Sequence, residues 1–115
     1  MANATTARVA QLNDQVRAMM GMFGRLGGQL VTTRGFAARP DEIKAAVFGA
    51  VQTFDGFTKA NDPYGERDFG SIEAGGETYF WKIDYYDTAM RFHSPDKADP
   101  AVTTRVLTIM LAEEY

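Results

Sequence analysis

The stretch DFGSIEAGGETYFWKIDYYD, residues 68–87, constrains the fold more than any other part of the chain. Two runs rich in β-branched and aromatic residues flank Gly75-Gly76, a pair able to take the positive φ angles of a two-residue hairpin turn. Such a turn sets the register: Ala74 faces Glu77, Ile72 faces Tyr79 and Gly70 faces Trp81. Strand alternation then places Tyr79, Trp81, Ile83 and Tyr85 on one face, expected to be the core face. Phe80, Lys82, Asp84 and Tyr86 fall on the other. There Lys82 and Asp84, two residues apart, can meet each other, or Phe69 and Glu73 across the hairpin.

The rest of the chain supplies layers to cover this hairpin. Val9, Leu12, Val16, Met19, Met20 and Phe23 recur at spacings of three and four, which makes one stripe of a helix, with Arg8, Gln11, Asp14 and Arg17 outside it. The glycines of GMFGRLGG end that helix. Because they follow a helix and precede a strand, they do not form a phosphate loop. QLVTTRGF predicts a strand from about Gln29 to Arg34. Pro40-Asp41-Glu42 opens a second helix, with Ile43, Val47, Ala50, Val51 and Phe54 inward. A third helix is expected from ADPAVTT, with Asp99 as N-cap, Pro100 at the first position and Val102, Val106, Ile109, Met110 and Glu113 along its inner stripe. The expected fold is α+β, a small single domain over residues 1–115 in the order α-β-α-β-β-α. Its three-stranded antiparallel or mixed sheet carries helices mainly on one face, and residues 1–6 form a flexible N-terminus.

Composition narrows the chemistry mainly by exclusion. A chain of 115 residues, 45% hydrophobic, can bury a core without covalent staples. It has no cysteine, which removes disulfides, thiolate zinc sites and cysteine nucleophiles, and fits a cytoplasmic location. No apolar run approaches the ~18 residues of a spanning helix, and the first twenty residues are too polar for a secretory leader. Charge is asymmetric: residues 1–59 hold seven Lys/Arg and four Asp/Glu, whereas residues 60–115 hold five and eleven. The acidic half can steer a basic partner and repel nucleic acid. Direct nucleic-acid binding through Arg8, Arg17, Arg25 and Arg34 is disfavoured, since these residues form no cluster in sequence. His93 is the only histidine and sits in a loop, which argues against a Ser-His-acid triad and against zinc. Met19, Met20 and Met22 read as core filler.

The segment NDPYGERDFG, residues 61–70, crowds Asp62, Glu66, Arg67 and Asp68 between a proline and two glycines. Asn61-Asp62-Pro63 is turn chemistry, in which side chains cap their own backbone. With Asp84 reached through the hairpin, Asp62, Glu66 and Asp68 could also surround a hard cation, although no calcium-loop spacing is met. Trp81, Tyr85 and Tyr86 are the residue types that anchor interfaces. In LAEEY, Glu113 and Glu114 would lie at the negative end of the last helix and require a cation, Arg67, Lys82 or Arg91, folded over it.

The blocks NDPYGERDFG, FWKIDYYD and DPAVTTRVLTIMLAEEY together resemble a family of small bacterial proteins of unknown function, common in alphaproteobacteria and often carried on plasmids and phages. The resemblance runs from about Ala7 to Tyr115. In that family the first block usually has histidines where this chain has Tyr64 and Arg67, so a metal pair beside Glu66 and Asp68 is missing here. The resemblance implies no established activity. The mobile-element association suggests a small protein that binds a host defence nuclease through an acidic surface, of the anti-CRISPR or anti-restriction kind. The expectation is a cytoplasmic, non-enzymatic interaction protein with a protein partner and no cofactor. Its contact surface would be Asp62, Tyr64, Glu66, Asp68, Asp84 and Tyr86. The alternative is a divalent-metal-dependent hydrolase using Asp62, Glu66, Asp68 and Asp84.

Overall fold

A computed structural model describes residues 4–20 and 28–115. Its elements are α1 (Ala4–Ala18), β1 (Gly28–Thr32), α2 (Arg34–Ala37), α3 (Asp41–Gln52), β2 (Phe69–Ala74), β3 (Glu77–Tyr86) and β4 (Thr104–Leu111). The sheet is mixed, in the order β1-β4-β3-β2, with β1 parallel to β4 and the other pairs antiparallel.

The hairpin has the register read from its turn: Gly70 opposite Trp81, Ile72 opposite Tyr79 and Ala74 opposite Glu77. Gly75 and Gly76 take φ angles of 59° and 82°, a conformation that any side chain would strain. Tyr79, Trp81 and Ile83 are buried as expected. The helices pack on their face. Phe36 of α2 meets Tyr79 edge-on with ring centroids 5.8 Å apart, and Phe54, just beyond α3, meets Trp81 at 5.5 Å.

The expected last helix is a strand. Asp99 does cap, accepting from the Ala101 N–H at 2.9 Å, and Pro100 does start a turn, but it is one 3-10 turn ending at Val102. Thr103, Thr104, Val106, Thr108 and Ile109 then crowd a helix with β-branched side chains, which a pleated strand accommodates. Buried Arg105, Leu107, Ile109 and Leu111 alternate on the helix-covered face, a period of two that shares only Ile109 with the expected helical stripe. The sheet therefore has four strands rather than three, with β4 between β1 and β3. The order becomes α-β-α-α-β-β-β.

Smaller corrections follow from local hydrogen bonding. β1 stops at Thr32 because Thr33 caps the short helix α2, its Oγ1 accepting from the Phe36 N–H. Helix α1 already begins at Ala4, and Met19 is more than a third exposed while Met20 is buried. Met22, Phe23 and the stop at Gly21, Gly24 and Gly27 lie outside the described residues. Glu114 needs no compensating cation: its carboxylate accepts from the Thr33 hydroxyl, the Gly35 N–H and the Leu111 N–H. These bonds, that of Thr33 foremost, hold its pKa below the usual glutamate value. The contribution is present above the ordinary pKa and is lost as pH falls through the lowered one. Of the proposed cations, Arg67 pairs with Asp14 and Lys82 with Asp84.

Candidate functional site

The site grows from a row of polar residues on the buried side of α1. Asn13 and Arg17 are four apart and continue from Val9, so the helix turns both toward the sheet. Arg17, expected outside the stripe, is 3% exposed. Asn13 is fully buried. Its Nδ2 donates to the Glu66 carbonyl at 2.9 Å and to the Tyr85 hydroxyl at 2.8 Å, and its Oδ1 accepts from Arg105 Nε at 2.8 Å. The Tyr85 hydroxyl in turn donates to Asp68 Oδ2 at 3.1 Å. Arg105 also donates to the Lys97 carbonyl, and both Arg105 and Lys97 hold their cations against the Tyr85 ring. One amide thus ties α1, β3, β4 and the loop 56–68 together.

The loop itself is fixed by its own side chains. Asn61 Oδ1 accepts from the Thr58 N–H and its Nδ2 donates to the Gly56 carbonyl. Asp62 Oδ1 accepts from the Arg67 N–H at 3.1 Å. Gly65 and Arg67 take φ angles of 73° and 58°, and for Arg67 a left-handed conformation costs about 1 kcal/mol. The Arg67 guanidinium reaches back to Asp14 at 2.9 Å and lies over the Phe57 ring. The turn chemistry of Asn61-Asp62-Pro63 is therefore present, and the arginine neutralises a carboxylate of α1 rather than its neighbours.

This arrangement leaves an open cleft of about 690 Å³ walled by Thr6, Lys59, Asp62, Tyr64, Glu66 and Lys97. Glu66 and Lys97 are bridged at 2.6 Å on its inner wall, and Tyr64 is 80% exposed at its rim. Behind the wall, burial raises the pKa of Asp68, opposed by the Tyr85 bond and reinforced by Glu66 and Asp62. Burial, then the charge of Asp68, raises the Tyr85 pKa above the normal tyrosine range.

Residues 32–114 match the family model described as protein of unknown function, DUF3768. The chain belongs to the DUF3768 family. No curated protein and no solved structure matches it. The DUF3768 span contains Asp68, Tyr85, Lys97 and Arg105, whereas Asn13, Asp14 and Arg17 lie outside it, on α1.

Of the six residues expected to form one surface in this DUF3768 protein, Asp62, Tyr64 and Glu66 share the cleft and Asp68 points inward to Tyr85. Asp84 and Tyr86 lie on the opposite face of the sheet, where Asp84 pairs with Lys82 at 2.8 Å and Tyr86 stacks on exposed His93. The structure does not bring all six together. Among the described residues no three His, Asp or Glu side chains gather as a cation would require, and the sheet separates Asp84 from Asp68. Sequence reasoning missed Asn13, Arg17, Lys97 and Arg105. The spacing of Asn13 and Arg17 along the row from Val9 was the available signal for the first two.

The raised pKa of Asp68 carries a stability prediction. The folded state binds this proton more readily than the unfolded chain, so stability gains as pH falls through the folded-state value. Asp68→Asn should be at least as stable as wild type at pH 7 and should lack that gain. Urea unfolding between pH 7 and pH 4 checks it, and a clearly less stable variant at pH 7 would show that the ionised carboxylate is the favoured form.

Proposed function

We propose that this DUF3768 protein is a non-enzymatic, cytoplasmic interaction module that contacts a protein partner through Asp62, Tyr64 and Glu66. The observation that carries this reading is Tyr64, an aromatic ring 80% exposed on a loop whose backbone is fixed from behind. With the backbone already fixed, binding has only the side chain to order, and exposed aromatics of this kind anchor interfaces. The charge of residues 60–115, five cations against eleven acids, suits a partner with a basic surface. Resemblance to a plasmid- and phage-borne family makes a host defence nuclease, of the CRISPR or restriction type, the partner class to try first. The metal-hydrolase alternative lacks comparable support, because its four carboxylates stand on two sides of the sheet.

The test compares tagged wild type with Tyr64→Ser in pull-downs from nuclease-treated host lysate, followed by binding of the purified partner. The variant should keep its thermal stability and lose at least about tenfold in affinity. Equal retention by both would remove Tyr64 from the interface and this surface with it.

A further inference from the structure

We propose that the helix-free face of the sheet is where two copies of this chain meet in a two-fold symmetric dimer. Among the described residues α1, α2 and α3 pack on the face of Tyr79, Trp81 and Ile83; on the opposite face Phe80, Lys82, Asp84 and Tyr86 are half-buried, while their β4 neighbours Val106 and Met110 are buried. On that face Phe69, Phe80 and Tyr115 form a cluster with ring centroids 5.1–5.7 Å apart. Tyr115 nevertheless remains 75% exposed, and Val31, on the same face of edge strand β1, is 43% exposed. Beside the cluster stands the Lys82–Asp84 pair, with both side chains over a third exposed. Their cross-strand neighbours on β4 are Thr108 and Val106.

This charge pattern selects the occupant. A nucleic acid would meet Asp84 and Glu73, and a strongly acidic or basic partner would meet a centre whose charges cancel. A second copy is different: a two-fold axis beside the ion pair brings Lys82 of each copy to Asp84 of the other, next to the rings of Phe69, Phe80 and Tyr115. The area sets the strength. Four strands of this length present about 450 Å² per copy, well under the ~800 Å² per partner of a standard interface. The dimer is therefore weak and concentration-dependent. It uses a different surface from the Asp62–Glu66 cleft and leaves that cleft open.

Sedimentation of the full chain at low salt, from about 10 µM to about 1 mM, reads the equilibrium directly. Wild type should move from monomer toward dimer across this range. Lys82→Glu leaves two acids and Asp84→Lys two cations at the position of the ion pair, so each alone should associate at least about tenfold more weakly. Mixed in equal amounts, the two should restore association as a heterodimer. Tyr115→Ser, at a position 75% exposed, should weaken wild-type dimerisation. Wild type monomeric at every concentration overturns the proposal. So does either charge variant dimerising like wild type, or a mixture that stays monomeric.

Discussion

Adding a single methyl group at Gly70 is expected to destabilise the domain by about 3 kcal/mol or more. A Cβ there would sit 2.2 Å from Trp81 Nε1, 2.6 Å from Cε2 and 2.8 Å from Cζ2. These are ring atoms of a fully buried indole, not the far end of a mobile side chain. The indole has no direction of retreat: Phe54 and Phe57 meet it edge-on at 5.5 and 6.1 Å, and the Arg17 guanidinium lies 4.9 Å from its ring. The same closeness leaves the Trp81 N–H without an acceptor, a cost the packing already carries. Gly49 of α3 is the matched control, since a Cβ there would touch nothing within 4 Å. Gly49→Ala should stabilise by about 0.5–1 kcal/mol through helix propensity. Urea midpoints of both variants decide the matter, and a Gly70→Ala cost under about 1 kcal/mol would mean that the hairpin shifts to make room.

The contrast between these glycines shows what the sequence could reveal. Gly75-Gly76 has a local cause and a local effect, so the hairpin register and the identity of its buried face were readable from twenty residues. Gly70 opposite Trp81 was readable as a pairing, but the contact depends on the side-chain rotamer that α1 and the 54–57 loop impose. The last strand was misread because VTTRVLTIMLAEEY supports two periods. A helix stripe and a strand alternation share Ile109, and the cap at Asp99 is real in both. What decides is the place between β1 and β3, a non-local fact that makes β4 a central strand. Glu114 followed the same error, since a residue expected at a helix C-terminus instead lies at the start of α2. The candidate site was half legible. Asp62 as a backbone cap and Tyr64 as a loop aromatic follow from residue type, whereas the Asn13–Arg105 bond joins residues 92 positions apart. The split of Asp84 and Tyr86 from the cleft was implicit in strand alternation, since Tyr85 and its neighbours must point to opposite faces.

Arg17→Ala should cost about 4 kcal/mol, the largest effect expected from any polar residue in the domain. Its guanidinium Nη1 donates to the carbonyls of Val51 and Phe54 at 2.9 Å each, closing the C-terminal end of α3, where backbone oxygens lack helical partners. Nη2 pairs with Asp14 at 2.5 Å, and the planar group lies against the mutually perpendicular rings of Phe57 and Trp81, 5.4 and 4.9 Å from their centroids. Alanine removes the bonds and the filling together: the Val51 carbonyl keeps only a long 3.4 Å bond from the Phe54 N–H, and the half-buried Phe54 carbonyl loses its arginine donor, beside a new cavity. Arg17→Met separates the two effects, because methionine restores most of the volume and none of the donors. If the hydrogen bonds matter, methionine should recover only about half of the loss. Since burial also lowers the arginine pKa and leaves Nε without an acceptor, the charge itself is held at a cost. Burial screens the interaction from added salt, so the Arg17→Ala loss should be nearly the same in low salt and in about 0.5 M salt. Full recovery by methionine would assign Arg17 to packing alone, and the coupling of α1 to the end of α3 would then rest on shape rather than on hydrogen bonds.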